Sequence, residues 1–259
     1  MSERFTLCCD KCWHSLEKPC PTVIECFTAG PKCHDSSECT DKLLHQSEVL
    51  LRNDVSKPAI FVGTGTCGLG AGAGKSLAVV KSWLEHMSVE AEVIEVGCVG
   101  LCALEPIIDI QLPGKARVSF KTVTEDKVSD LLDSFVLKSE IPMDLVMAQY
   151  RSDNVDNWDD VVFMDEHPFF GAQRRIVLEN CGIINPVSIE EYIAGGGYRA
   201  FADSISGSTP SEVCDNVEVS GLRGRGGGGF PTGRKWKFAL STPAVQKYVI
   251  CNADEGDPG

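Results

Sequence analysis

Five glycines occupy the six residues from Gly224 to Gly229, inside the string GLRGRGGGGFPTGRKW that runs from Gly221 to Trp236. Without Cβ atoms such a loop reaches positive φ and lets its backbone approach a flat or anionic ligand closely. Arg225, Arg234 and Lys235 place fixed positive charge beside it, and Phe230 and Phe238 offer ring faces for stacking. One short segment therefore carries the groups that phosphates and aromatic heterocycles need. The same composition also describes a flexible linker or a nonspecific nucleic-acid contact. The residues after it favour a binding loop: Lys247 to Cys251 (KYVIC) has the apolar pattern of a strand, with Asn252, Asp254 and Glu255 at its carboxyl end, where open α/β sheets bind ligands.

Sulfur is the second chemistry. The chain has 13 cysteines and no apolar amino-terminal stretch that reads as a signal peptide, so metal centres are expected rather than disulfides. Cys8, Cys9, Cys12, Cys20, Cys26, Cys33 and Cys39 crowd the amino-terminal arm, with His14 and His34 among them and little that could pack. That arm needs a metal to order it, and Cys9-x2-Cys12 has ligand-like spacing; Zn²⁺ and an iron–sulfur cluster both suit. An irregular arm with reduced, unligated thiols is the competing reading. Farther on, Cys67 lies in a turn after a predicted strand, and Cys98-x3-Cys102 lies in a Gly-rich turn after the next, so the two turns can meet at one sheet end and face a cluster. Cys181, Cys214 and Cys251 have no partners at ligand spacing and read as buried small apolar residues.

Two further glycine motifs precede the second of these turns. Gly63-Thr64-Gly65-Thr66-Cys67-Gly68 matches GxGxxG after a strand, with Glu95 ending the next strand as a ribose ligand, which describes a second dinucleotide site. Gly70 to Ser76 resembles a P-loop, but a Walker A loop needs a glycine where Leu69 stands, which disfavours nucleotide hydrolysis through Lys75.

A regular frame must hold these turns. Leu43 to Arg52 reads as a short helical connector. Strands are expected over Ala59 to Val62 and Ala91 to Val96, a helix over Lys75 to His86 with Leu77, Val80 and Leu84 on one face, an antiparallel pair Ile107 to Leu112 and Arg117 to Phe120 around Pro113-Gly114, and a closing helix over Thr124 to Leu137. Residues 138–163 are acidic and lack apolar periodicity, so they read as a linker. Ser188-Ile189-Glu190-Glu191 and Thr209-Pro210-Ser211-Glu212 are capping boxes opening helices over Ile189 to Ala194 and Pro210 to Val219, with a further helical piece from Tyr198 to Ile205.

Size and charge narrow the functions. At 259 residues and 43% hydrophobic the chain can bury a sizeable core, and its length suggests two domains. A formal net charge of -13 argues against nucleic acid as a partner, and no run is long enough to cross a membrane. The expected location is cytoplasmic, or peripheral to a membrane through partner subunits.

The strings GLRGRGGGGFPTGRKW and KYVICNADEGDPG, with HPFFGAQRRIVLENCGIINP from His167 to Pro186 ahead of them, resemble the FMN- and NADH-binding flavoprotein subunits of complex I and of NAD(P)-linked hydrogenases and formate dehydrogenases. The resemblance implies that Gly226, Lys235, Asn252 and Asp254 hold FMN, and that Phe230, Phe238 and Glu255 line the NADH pocket. Where this family often has Ser-Glu-Pro-Gly, the chain has Gly256-Asp257-Pro258-Gly259; acidic groups there repel a 2′-phosphate and favour NADH over NADPH. The resemblance further implies a chain cut short at its carboxyl end, with a [4Fe-4S] motif beyond Gly259 and weak FMN retention by these 259 residues alone.

TCGLGAGA with GCVGLCALEP resembles the amino-terminal [2Fe-2S] domain of the hydrogenase-type subunits, which implies Cys67, Cys98 and Cys102 as metal ligands. Four cysteines normally serve. The family's first falls near Phe61 here and its alternative position is Gly72, so either an outside residue completes the set or the cluster is lost. The expected fold is α/β: a Cys-rich irregular arm (1–42), a thioredoxin-like ferredoxin domain (57–137), the linker, and the start of an α/β FMN/NADH-binding domain (164–259). The implied activity is an NADH dehydrogenase (diaphorase) step, hydride to FMN and single electrons to iron–sulfur clusters, with other subunits of a redox complex as partners and no side chain as nucleophile or base. A non-catalytic iron–sulfur carrier or assembly module with a vestigial flavin loop is the competing class.

Overall fold

The computed structural model describes His45, residues 47–248 and Ile250. The seven-cysteine arm, Cys251, Asn252, Asp254 and Glu255 lie outside the described residues. The chain divides into two compact units after Arg199.

The first unit is built on a five-stranded sheet: β1 (Ala59–Gly63), β2 (Glu92–Val96), β3 (Ile108–Gln111), β4 (Val118–Phe120) and β5 (Val146–Gln149), in the order β2-β1-β3-β4-β5. β1 and β2 are parallel, and every other pair is antiparallel. A parallel pair needs a long crossover, and the helices α1 (Thr66–Ala71) and α2 (Ala73–Met87) supply it. A βαβ half joined to an antiparallel hairpin, with β3 reversed at the centre, is the thioredoxin-like arrangement that the order of predicted elements implied.

β1 is buried along its whole length because both faces are covered. Ile60 and Val62 face the main core with Val80 and Trp83 of α2, while Ala59 and Phe61 face a second cluster with Ile94 and Val96. That alternation is the period of two that a strand imposes. On α2 the deep positions are Ala73, Leu77, Val80 and Trp83; Leu84, expected on the inner face, is only partly buried, because Trp83 takes the deeper place and its indole N–H donates to Asp133 Oδ1 at 2.9 Å. The closing helix α3 (Val128–Leu132) starts later than expected, since Thr124 serves a turn that accepts the Lys127 N–H, and it continues as a π turn over Asp133–Leu137.

The linker expected over residues 138–163 is a correction. It contains β5, which pairs with β4. Val146 enters the main core and Met147 packs with Val99, Ile107 and Phe170 on the other face, so the strand is apolar on both sides and shows no alternation. Gln149, fully buried, accepts from the Trp158 backbone N–H and donates to the Trp158 and Val161 carbonyls. Trp158 in turn donates its indole N–H to Ala116 O and packs on Phe135.

Helix α4 (Ile189–Ala194) closes this unit. The Ser188 cap accepts the Glu191 N–H as expected, but the Glu191 carboxylate does not return to complete the box. It pairs instead with Arg52 at 2.8 Å and accepts the Asn185 N–H, tying α4 to the segment before β1. Of the expected connector, residues 47–50 are helical.

The second unit holds α5 (Arg199–Gly207) from its second residue on, α6 (Pro210–Val219) and α7 (Thr232–Ser241). Thr209 and Glu212 form the complete capping box at α6. α7 was not expected, because its sequence TGRKWKFALS lies inside the glycine-rich motif and carries no cap residue. The strand expected over KYVIC is not formed by Lys247, Tyr248 and Ile250. Among the described residues this unit has no strand beside them, and an unpaired strand leaves its N–H and C=O groups unmatched.

Candidate functional site

In the second unit the glycine-rich string folds as a hairpin. Gly224 N–H donates to Phe230 O at 2.8 Å and Thr232 N–H to Leu222 O at 2.9 Å, while Arg223 Nε–H reaches across to Gly229 O at 2.6 Å. Gly227 (φ 92°) and Gly229 (φ 58°) sit in the left-handed region, where side chains are strained. β-carbons at Gly226, Gly227 and Gly228 would meet nothing within 4 Å. Packing therefore does not demand these three glycines. What their bareness leaves is an open stretch of backbone leading directly into the amino terminus of a ten-residue helix, a place that favours anions.

Charge reinforces that preference. Arg234 lies 3.7 Å from Glu218, and Lys237 bridges Asp215 and Glu218, fixing α7 against α6. Arg225 and Lys235 are exposed and make no side-chain hydrogen bond or ion pair with the described residues. Phe230 and Phe238 stand 6.4 Å apart between ring centroids, 48% and 59% exposed. The hairpin and the first two turns of α7 thus carry four of the seven expected ligand-site residues, Gly226, Phe230, Lys235 and Phe238. The other three, Asn252, Asp254 and Glu255, lie outside the described residues. Gly233 was missed: it is buried, and a β-carbon there would lie 2.3 Å from Glu218 N, so it sets how closely α7 approaches α6. Its place in the helical repeat opposite α6 is visible only once α7 is known to exist.

In the first unit the turn after β1 and the turn after β2 touch. A β-carbon on Gly65 would lie 3.2 Å from both Cβ and N of Cys98, and one on Gly68 would lie 2.1 Å from Gly63 O. The glycines of GxGxxG are therefore occupied in packing the sheet end. Glu95, the expected ribose ligand, faces Lys81 at 3.7 Å, and Lys75 faces Glu125 at 3.2 Å on the exposed side of α2.

Cys98 Sγ and Cys102 Sγ lie 3.8 Å apart, and Gly100 N–H points at Cys98 Sγ at 3.2 Å. Burial pushes the Cys98 thiol up to about 11; the Gly100 N–H opposes the shift, and Cys102 and Glu105 add to it. Glu105 is itself buried, which raises its carboxyl above the ordinary range while the Ile107 N–H donates to Oε2 at 2.8 Å. Sequence reasoning missed Glu105, whose burial nothing in CALEPI announces. Cys67 and Cys102 are exposed.

As a ligand set for a four-thiolate cluster these residues are incomplete. Among the described residues no group of three or more His, Cys, Asp or Glu side chains is gathered closely enough to hold a metal ion. The two places where the resemblance would put a fourth cysteine hold Phe61, 2% exposed in an apolar cluster, and Gly72, left-handed between α1 and α2. The expected trio Cys67, Cys98 and Cys102 is thus brought to one sheet end, where the described residues alone do not complete a site.

Residues 217–259 match the family described as the Nuo51 FMN-binding domain. The NADP-reducing hydrogenase subunit HndC of Solidesulfovibrio fructosivorans is 59% identical over 86 residues, 33% of this chain and 17% of that protein. An NADH-quinone oxidoreductase subunit of Aquifex aeolicus is 56% identical over 72 residues, 28% of this chain and 16% of its own length. The alpha subunit of the NAD-reducing hydrogenase HoxS of Cupriavidus necator is 49% identical over 61 residues, 24% and 10% of the two chains. Over that part of its length the chain is similar to these hydrogenase and NADH-quinone oxidoreductase subunits, as its glycine-rich motif implied, and it spans a fifth or less of each relative. Among solved structures, a thioredoxin-like [2Fe-2S] ferredoxin from Aquifex aeolicus aligns at 13% identity with a TM-score of 0.33, covering 38% of this chain and 96% of that one. No helix among the described residues is long and apolar enough to cross a membrane.

Proposed function

We propose that this chain belongs to an NADH-oxidising flavoprotein subunit of a multi-subunit redox assembly, and that its glycine-rich hairpin and α7 form part of an FMN and NADH site. The observation that carries the reading is an open glycine backbone running into a helix amino terminus beside two cations, Arg225 and Lys235, in a segment similar to an FMN-binding family. The residues fit the group. Gly226 to Gly228 leave room for a flat ring or a phosphate, Lys235 can neutralise phosphate charge, and Phe230 and Phe238 can stack on a nicotinamide. FMN held there would supply the chemistry of taking a hydride from NADH and passing electrons on singly to iron–sulfur centres of the assembly. The protein's part is to bind, orient and keep the reactants at contact distance, which needs no nucleophile.

Within this reading Asn252 and Asp254 complete the FMN contacts and Glu255 the NADH pocket, and the acidic residues near Asp257 select NADH over NADPH. The sheet unit, up to Arg199, serves as a separate amino-terminal domain and the residues after it as part of the flavin domain. Titrating FMN into the full-length protein, followed by quenching of flavin fluorescence, tests the reading. Lys235→Ala should weaken binding by about 10- to 100-fold, the cost of one charge-assisted contact of roughly 1.5–3 kcal/mol. Unchanged affinity in that variant and in Gly226→Val would overturn it.

A further inference from the structure

Resting on the flavin-site reading above, we infer that Arg223 is a positioning residue of the glycine-rich loop: its side chain latches the open backbone in the shape that receives FMN, and it does so by a hydrogen bond rather than by its charge.

A run of glycines is a poorly ordered binding surface, because each glycine gives up more backbone freedom than any other residue when it is fixed. Nothing packs at Gly226, Gly227 or Gly228, where a β-carbon would meet no atom within 4 Å. A ligand that had to order this loop itself would bind more weakly by that entropy, so restraint already present in the free protein raises affinity. Part of the restraint comes from the stem. Gly224 N–H to Phe230 O and Thr232 N–H to Leu222 O flank the facing pair Arg223 and Pro231. On the far strand these bonds reach only to Phe230. Arg223 carries the restraint one residue farther, since its Nε–H crosses the hairpin to Gly229 O at 2.6 Å. Gly229 has the left-handed φ of 58° that a side chain would strain, and its β-carbon would lie 3.7 Å from Arg223 Nε. This glycine therefore serves the latch, whereas the three before it stay bare for the ligand. With Gly229 held and α7 beginning at Thr232, the loop keeps a fixed relation to the helix that carries Lys235.

The donor can be separated from the charge. Arg Nε is the third atom beyond Cβ; glutamine places its Nε2 donor at the same point without a charge, and methionine offers neither donor nor charge. The test measures FMN affinity of the flavin-free, full-length protein by fluorescence quenching, in wild type, Arg223→Gln, Arg223→Met and Lys235→Ala. Amide hydrogen exchange at Gly224 and Thr232 is followed in the same flavin-free proteins. Arg223→Met should weaken FMN binding about 2- to 10-fold, the effect of one hydrogen bond, and speed exchange of the two stem amides. Arg223→Gln should match wild type in both. Equal weakening in the two variants would make Arg223 a charge and overturn the latch, as would unchanged affinity or unchanged stem exchange in Arg223→Met. Lys235→Ala tells the two failures apart. If it loses FMN while Arg223→Met does not, the flavin site stands and the latch falls; if neither variant nor Gly226→Val alters FMN binding, both fall.

Discussion

A β-carbon on Gly233 would lie 2.3 Å from the backbone nitrogen of Glu218 and 2.5 Å from its Cα, so α6 and α7 meet backbone against backbone. Alanine is the better helix former by about 1 kcal/mol, but overpacking a rigid contact costs about 1–3 kcal/mol. Because the obstructing atoms are main chain, the helices must separate, and the Lys237 bridge to Asp215 and Glu218 separates with them. Gly233→Ala should therefore loosen α7, seen as faster amide hydrogen exchange across Thr232–Ser241 with the sheet unit unaffected. Slower exchange in α7 would mean that propensity outweighs the clash.

Arg117 and Asp109 form a buried ion pair in the sheet unit, at 2.6 Å and almost wholly shielded. Arg117 also donates to the carbonyls of Gly182 and Ile183 and lies over the Phe61 ring at 3.5 Å, so one guanidinium joins β4, β3, β1 and the 182–183 turn. Removing one member leaves a buried charge alone, which costs about 3–5 kcal/mol. Arg117→Ala should lose that much in denaturant unfolding, with little dependence on salt. The exposed Lys75–Glu125 pair is the control: Lys75→Ala should change stability by less than about 1 kcal/mol.

Tyr150 shares that site, donating its hydroxyl to Asp109 Oδ2 at 3.3 Å. Burial, followed by the Asp109 charge, raises its phenol well above the ordinary tyrosine range. A raised folded-state value stabilises the protein fully below the unfolded value, about 10, and that stability is lost as pH rises through the folded one. Wild type should therefore weaken more steeply than Tyr150→Phe above about pH 10. The difference in unfolding free energy between the two, followed from about pH 8 to 11, should be flat below roughly pH 9.5 and then shift in favour of the variant. A parallel pair of curves would show that the phenol ionises normally in the fold.

In the regular half of the sheet unit, α2 was legible from its one buried face, β3 and β4 from the Pro113-Gly114 turn between them, and β1, buried on both faces, as a short apolar run that ends in a glycine cluster. β5 was not. Its residues VMAQ are buried on both sides by parts of the chain up to Phe170, and covering of that kind leaves no periodic trace. α4 and α6 were legible from caps and α5 as a further helical piece between them, whereas α7 begins at Pro231-Thr232 with no cap bond and was hidden in a motif read for ligand chemistry. At the cysteine turns the spacing foretold that Cys67, Cys98 and Cys102 share one end of the sheet. It could not foretell that Cys98 and Cys102 pair closely while three ligands do not gather, because side-chain distances inside a turn depend on Gly100 and on the anchoring of Val99.

Phe230 is the residue on which the proposed use of the flavin site is tested. It follows four glycines and precedes Pro231, and its ring is 48% exposed rather than sunk in a core. Its backbone, in contrast, is fixed at the base of the hairpin through the bond from Gly224 N–H. A ring held by its main chain and open on one face is suited to stacking, and Phe238 lies near enough to form a second wall. If that wall receives the nicotinamide, Phe230→Ala in the full-length protein should raise KM for NADH and slow flavin reduction. FMN content should stay nearly unchanged, since the flavin is assigned to Gly226, Lys235, Asn252 and Asp254. Loss of about 0.5–1.5 kcal/mol of aromatic contact corresponds to roughly a 2- to 10-fold effect. Flavin occupancy and stopped-flow reduction are measured on one preparation. Reduction at the normal rate per bound flavin, together with falling thermal stability and flavin content, would assign Phe230 to packing instead.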